Sequence, residues 1–136
     1  MTVLNPDYAM TLMAFAAMAS LMLLQVLIAD VAGIRAGHVP GSPVTADHGN
    51  FLFRASRTVA NTNETIGVFI LAGVAAISAG AEPAWTGYAA WVYVAARLGY
   101  AGCYYGDIRI ARSVVFAFSL LALIAMTILA FAATFS

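Results

Sequence analysis

The last apolar segment of the chain, residues 114–135, decides the fold; it reads VVFAFSLLALIAMTILAFAATF. No charged residue interrupts it, and its only polar side chains are those of serine and threonine. A helix needs about 20 mostly apolar residues to cross the hydrocarbon layer of a membrane. The segment is therefore predicted to be a membrane-spanning helix.

Three earlier segments have the same character and complete a set of four. They cover about residues 8–29, 51–81 and 84–105. The chain of 136 residues is 63% hydrophobic and only 9% charged, whereas a soluble domain is about 25% charged. Strands of a spanning β-barrel alternate in polarity over about ten residues, and these segments do not. Residues 1–136 are thus predicted to form one all-α domain, an integral membrane four-helix bundle.

The charged residues exclude one class of partner and predict an orientation. Six basic residues balance six acidic ones, and all the basic residues are arginines, at positions 35, 54, 57, 97, 109 and 112. Zero net charge leaves no basic surface for nucleic acid. Apart from Arg97, the arginines lie in or near the first and third connections. Because cytoplasmic loops are enriched in arginine and lysine, we expect both chain termini on the non-cytoplasmic side.

The second segment carries a polar face made of Arg54, Arg57, Asn61 and Glu64, spaced three, four and three residues apart. In a helix these positions fall within about 80° of one another. One interpretation is a structural network in which Glu64 neutralises an arginine on the same or a neighbouring helix. The other is that the excess of guanidinium donors binds a ligand that bears a carboxylate.

The third segment repeats this pattern with Tyr93, Arg97, Tyr100 and Tyr104, spaced four, three and four residues apart. These positions fall within about 60° of one another on a helix. Tyrosines alone are also typical of an aromatic belt at the membrane interface. Their shared face with Arg97 favours a ligand-lining wall.

The fourth segment is preceded by Arg109, Arg112 and Ser113. Snorkelling of the arginines to the cytoplasmic surface is one interpretation of this group. Stabilisation of a bound anion at the N-terminus of the helix is the other.

The remaining reactive side chains give no sign of a metal site. His38 and His48 lie in the first connection, and they have no third ligand at a spacing that binds metal. We expect both to be solvated loop residues. The single cysteine, Cys103, is expected to be a small buried hydrophobe.

These motifs together resemble the MAPEG family, the membrane-associated proteins in eicosanoid and glutathione metabolism. The residues that carry the resemblance are Arg54-x-x-Arg57-x-x-x-Asn61-x-x-Glu64, Arg97-x-x-Tyr100-x-x-x-Tyr104 and Arg112-Ser113. The similarity extends from about Gln25 to Phe116. It implies a homotrimer that holds glutathione in clefts between neighbouring subunits.

The resemblance also implies roles for individual residues. Arg112 would approach the sulfur of glutathione, and Arg35 would reach in from the adjoining subunit. The full set predicted to bind glutathione is Arg35, Arg54, Arg57, Asn61, Glu64, Arg97, Tyr100 and Tyr104. The predicted catalytic residues are Arg112, Ser113 and Arg109. Either arginine is an option for the group that activates the thiol, and Arg112 is preferred because a serine hydroxyl follows it.

The function expected from the residues and the resemblance is that of a glutathione-dependent membrane transferase or peroxidase. Such an enzyme activates the glutathione thiolate for attack on a lipophilic electrophile that arrives from the bilayer. One alternative is a non-catalytic, lipid-binding membrane scaffold of the same fold. A second alternative is a small transporter that uses Arg97 and Glu64 as an intramembrane relay.

Overall fold

A computed structural model describes residues 6–135 and confirms the all-helical architecture. A short 3-10 turn, Pro6–Tyr8, leads into four long helices. These are α1 (Ala9–Arg35), α2 (Phe51–Ser78), α3 (Pro83–Tyr105) and α4 (Arg109–Phe135). Consecutive helices run antiparallel, so the end of α1, the start of α2, the end of α3 and the start of α4 lie at one end of the bundle.

Two helices extend beyond the apolar segments that predict them. Helix α1 continues from the end of its apolar segment at residue 29 to Arg35, and α4 begins at Arg109, five positions before residue 114. A charged residue limits burial in lipid, but arginine is a good helix former. The apolar segment therefore marks the part of each helix that suits the membrane interior, and the helix itself is longer. As a result, Arg112 lies in the first turn of α4.

Local signals in the sequence fix where α2 and α3 begin. The side chain of Asn50 accepts a hydrogen bond from the backbone N–H of Leu52 at 2.9 Å. The side chain of Glu82 accepts one from the backbone N–H of Trp85 at 2.8 Å, and Pro83 occupies the first turn. Both are N-caps, which satisfy backbone donors that a helix start leaves unpaired.

Helices α2 and α3 form the centre of the bundle, because each of them packs against the other three helices. Helices α1 and α4 flank this central pair. The core contains a stacked pair of rings, Phe69 of α2 and Tyr93 of α3, with centroids 4.4 Å apart. The two polar faces predicted on α2 and α3 therefore belong to the two helices that meet at the centre.

A glycine allows α1 and α4 to approach α2 closely. A Cβ atom at Gly73 would overlap the ring of Phe15 on α1 and would lie 3.1 Å from the terminal methyl of Met126 on α4. The neighbouring small residues Ala72 and Ala76 are also buried. Small residues at a helix contact are typical of bundles in membranes, where close backbone approach drives association.

The outer surface of the bundle is apolar, as lipid contact requires. Many large hydrophobic side chains are exposed, among them Leu71 and Phe131. Within residues 6–135, three helical segments are long and apolar enough to cross a membrane: Pro6–Arg35, Phe51–Ser78 and Arg109–Phe135. Helix α3 has 23 residues, but Arg97 and several tyrosines lower its hydropathy. That α3 also spans the membrane remains a prediction.

Candidate functional site

Arg97 lies at the centre of the site and links the two polar faces. Its side chain is 0% exposed. One terminal nitrogen donates to Asn61 Oδ1 at 2.8 Å, and the other donates to Thr62 Oγ1 at 3.0 Å. Its Cζ atom lies 4.6 Å from the ring centroid of Tyr100. Burying a guanidinium is costly unless such groups pair with its donors, and here both terminal nitrogens are paired while Nε has no partner among the described residues. Arg97 thus joins α3 to α2 in the bundle interior.

The hydrogen bond from Arg97 fixes the orientation of the Asn61 amide. Because Oδ1 faces the guanidinium, Nδ2 faces the other way, and it lies 3.4 Å from Glu64 Oε2. Glu64 is exposed on the surface of α2. It forms no ion pair with an arginine anywhere in residues 6–135. Asn61 links the Glu64 carboxylate to Arg97 of the neighbouring helix, and the two charges attract each other. A structural network that includes Glu64 and an arginine therefore stays one of the two interpretations of this face.

The two arginines of the α2 face have different environments. Arg54 donates to the backbone carbonyl of His48 at 2.6 Å and to that of Tyr105 at 3.4 Å, so it ties the first connection to the end of α3. Arg57 is half-buried, and no hydrogen bond or ion pair holds its guanidinium within the part of the chain that the structure describes. The donors of Arg57 are therefore unpaired within residues 6–135.

Tyr100, Tyr104 and Arg112 form a continuous wall along α3 and the start of α4. The rings of Tyr100 and Tyr104 are 5.1 Å apart, and the Cζ atom of Arg112 lies 4.4 Å from the Tyr104 centroid. One terminal nitrogen of Arg112, Nη1, is buried without a hydrogen-bond partner among the described residues. Arg112 is thus packed towards the predicted site and has a free donor there.

Arg109 and Ser113 face solvent more than they face this wall. The Arg109 side chain is 69% exposed and lies 3.7 Å from the carboxylate of Asp107. Ser113 is exposed, and its hydroxyl donates to the backbone carbonyl of Arg109 at 3.5 Å. Of the two arginines considered for thiol activation, Arg112 is the one in contact with the tyrosine wall.

Arg35 is the predicted residue that lies apart from the others within one chain. It is exposed at the end of α1, where it borders a groove of about 600 Å³ between α1 and the start of α2. The walls of this groove are mostly apolar and include Leu27, Ile28 and Phe51. The groove is not lined by Arg97, by its partners Asn61 and Thr62, or by the wall of Tyr100, Tyr104 and Arg112. Within one chain, Arg35 therefore does not come together with the other predicted site residues.

Two residues of this region, Tyr93 and His48, were not predicted from the sequence to take part in it. Tyr93 was assigned to the polar face of α3 without a specific role, and its hydroxyl shares a buried hydrogen bond with Thr65 at 2.8 Å. His48 was expected to be solvated, but it is half-buried and its ring lies 6.2 Å from that of Tyr104. The expectation was wrong because His48 comes from a loop whose path along α3 depends on the Arg54 contacts. No local pattern in the sequence signals that path.

The fold and the site define a class of protein: a membrane helical bundle whose two central helices share buried polar side chains and carry unpaired charged ones. The family model described as "MAPEG family" matches residues 13–132, and the chain belongs to that family. No curated protein and no solved structure matches it. Family membership supports a membrane function related to glutathione, which members of the family generally use.

Proposed function

We propose that the protein is a glutathione-dependent membrane transferase or peroxidase that acts as a homotrimer. The observation that carries the proposal is an unpaired guanidinium, Arg57, and an exposed carboxylate, Glu64, two helical turns apart on one face of α2. Ionisable groups within a membrane-spanning helix are costly unless they face a wet cavity, a ligand or another subunit. An inter-subunit cleft that holds a zwitterionic ligand would satisfy both groups.

The charges on this face complement those of glutathione, which has two carboxylates and one ammonium. The planar fork of Arg57 suits a carboxylate. The Glu64 carboxylate suits the ammonium. Asn61 would donate through Nδ2, because Arg97 already occupies its oxygen. Tyr100 and Tyr104 would complete the cleft on the α3 side.

The neighbouring subunit is part of this proposal. The groove beside Arg35 is open to the exterior of the single chain, and its walls are apolar apart from Arg35 and Asn50. In a trimer the end of α1 from one subunit would lie over the α2 face of the next. Arg35 would then add a second guanidinium to the carboxylate-binding end of the cleft.

Arg112 is proposed to activate the thiol. The thiolate, and not the thiol, is the nucleophile, and a guanidinium close to the sulfur favours the charged form. The start of α4 adds the positive end of the helix dipole. In the transferase reaction the sulfur forms a bond to the electrophilic carbon, and the leaving group departs with its electron pair.

Titration of the purified, detergent-solubilised oligomer with glutathione tests the proposal. Saturable binding in the isothermal titration, followed by conjugation of a halonitrobenzene, is the expected result. Binding without turnover would favour the lipid-binding scaffold. If the protein does not bind glutathione, it is either the lipid-binding scaffold or the transporter. Flux of a solute in proteoliposomes would identify the transporter. Detergent-corrected mass measurement should give three chains, and a monomer would contradict the inter-subunit cleft.

A further inference from the structure

His48 is held in place although it belongs to the first connection. Its backbone carbonyl accepts the 2.6 Å hydrogen bond from Arg54, whose other terminal nitrogen reaches the carbonyl of Tyr105. The preceding residue, Asp47, accepts a hydrogen bond from the backbone N–H of Gly49 at 2.8 Å. The backbone at His48 is therefore hydrogen-bonded to Arg54 of α2, and through Arg54 it is linked to the end of α3.

This anchoring places the imidazole beside the tyrosine wall. The ring packs edge-on against Phe53, with centroids 5.1 Å apart and planes at 88°. It lies 6.2 Å from the ring of Tyr104, and Tyr104 is the same ring that Arg112 covers at 4.4 Å. His48 and Arg112 are thus neighbours of one aromatic side chain, although they are 64 positions apart in the sequence.

Several buried polar side-chain atoms at this end of the bundle lack a hydrogen-bond partner in the described residues. Two of them, Nδ1 of His48 and Nη1 of Arg112, belong to the residues that border the Tyr104 ring. The great majority of buried polar side-chain atoms in proteins have a partner. Two residues that border one ring and each have an unpartnered buried nitrogen suit a polar group that comes from outside the chain.

Imidazole is the side chain that most often acts as a general base, and His48 supplies one here. The guanidinium groups of Arg54 on α2 and Arg112 on α4 are donors without an acceptor atom, and Tyr104 of α3 contributes a hydroxyl. Asp47, in the same loop, is exposed and bound to a backbone N–H.

We propose that His48 accepts the proton of the glutathione thiol, an inference that rests on the proposed transferase function. The S–H bond breaks, its electron pair stays on sulfur beside Arg112, and the proton forms an N–H bond at Nδ1 of the imidazole. After the sulfur has attacked the electrophile, the imidazolium returns the proton to the departing group or to water. Arg112 stabilises the thiolate, and His48 takes the proton that Arg112 cannot accept.

The test is to count the protons released when glutathione binds, by isothermal titration near neutral pH in buffers of different ionisation enthalpy. Wild-type protein should release well under half a proton for each thiolate formed, because His48 keeps it. His48→Gln should release close to one. His38→Gln is the matched control, since the His38 ring contacts Ser42 within the same connection, and it should behave as wild type.

Two further measurements separate a specific role from a folding defect. In stopped-flow experiments, thiolate absorbance should appear on the order of 100-fold more slowly in His48→Gln, in line with the usual contribution of general bases. Its final amplitude should be unchanged, because Arg112 remains. In wild-type protein, nitrogen NMR should show one of the two histidines becoming protonated when glutathione is added at constant pH.

The possible failures are distinguishable. If wild type and His48→Gln both release one proton and form thiolate equally fast, His48 is not the acceptor, while glutathione binding and the proposed function survive. The same conclusion follows if neither histidine signal changes in wild-type protein. If wild type does not bind glutathione at all, the proposed function fails and this inference fails with it.

Discussion

Replacing Arg57 by alanine should separate glutathione binding from folding. No hydrogen bond or ion pair holds its guanidinium in the described chain, so the free energy of unfolding should change by no more than about 0.5 kcal/mol. In the proposed cleft the same guanidinium binds a carboxylate. Removing one partner of a buried, hydrogen-bonded charge pair costs about 2–5 kcal/mol. Since about 1.4 kcal/mol corresponds to a factor of ten, glutathione affinity should fall by at least about 30-fold.

The assay is isothermal titration with glutathione, run beside size-exclusion chromatography to verify the oligomer. Glu64→Ala should give a comparable loss, because the carboxylate is exposed and its one hydrogen bond is the 3.4 Å contact with Asn61. Asp30→Ala is the control, since it removes an exposed carboxylate from α1, outside the predicted binding set. Unchanged affinity in both Arg57→Ala and Glu64→Ala, with the oligomer intact, would refute the role of the α2 face and favour the scaffold.

Other variants test the remaining parts of the structure. Arg112→Ala should leave glutathione bound but abolish thiolate absorbance and most turnover. Lowering the pKa of the thiol by about two units requires about 2.7 kcal/mol of thiolate stabilisation, which the variant loses with the guanidinium. If Arg109→Ala has this effect and Arg112→Ala does not, Arg109 is the activating group. Arg97→Met should destabilise the bundle by about 2–6 kcal/mol in chemical unfolding, because it leaves two buried acceptors unpaired at about 1–3 kcal/mol each. Unchanged stability would contradict this. Gly73→Leu should lower stability by about 1–3 kcal/mol through overpacking against α1, and an unaltered unfolding midpoint would argue against the close contact. In a cysteine-free background, Ser42→Cys should be labelled from the cytoplasmic side alone, and labelling from the opposite side would reverse the orientation.

The helices and their polar faces were predictable because both follow from local periodicity. A long run of apolar residues indicates a helix in lipid, and a spacing of three and four places side chains on one helix face. The same reasoning grouped Arg54 with Arg57, since both satisfy the spacing. Their difference was not predictable, because it depends on the carbonyls of His48 and Tyr105, which come from a loop and from another helix.

The sequence by itself determined that this chain is a helical membrane protein, where its four apolar segments lie, and which residues carry charge on α2 and α3. These properties depend on composition and on neighbours within one helix. Only the tertiary structure decided that Arg97 is wholly buried and fixes the orientation of the Asn61 amide. It also decided that Arg112 packs on Tyr104 while Arg109 faces outward, and that the ring of His48 lies near the same tyrosine. Each of these facts depends on which helices become neighbours and at what depth. Packing of side chains from distant parts of the chain sets that arrangement, and no periodicity within one segment specifies it.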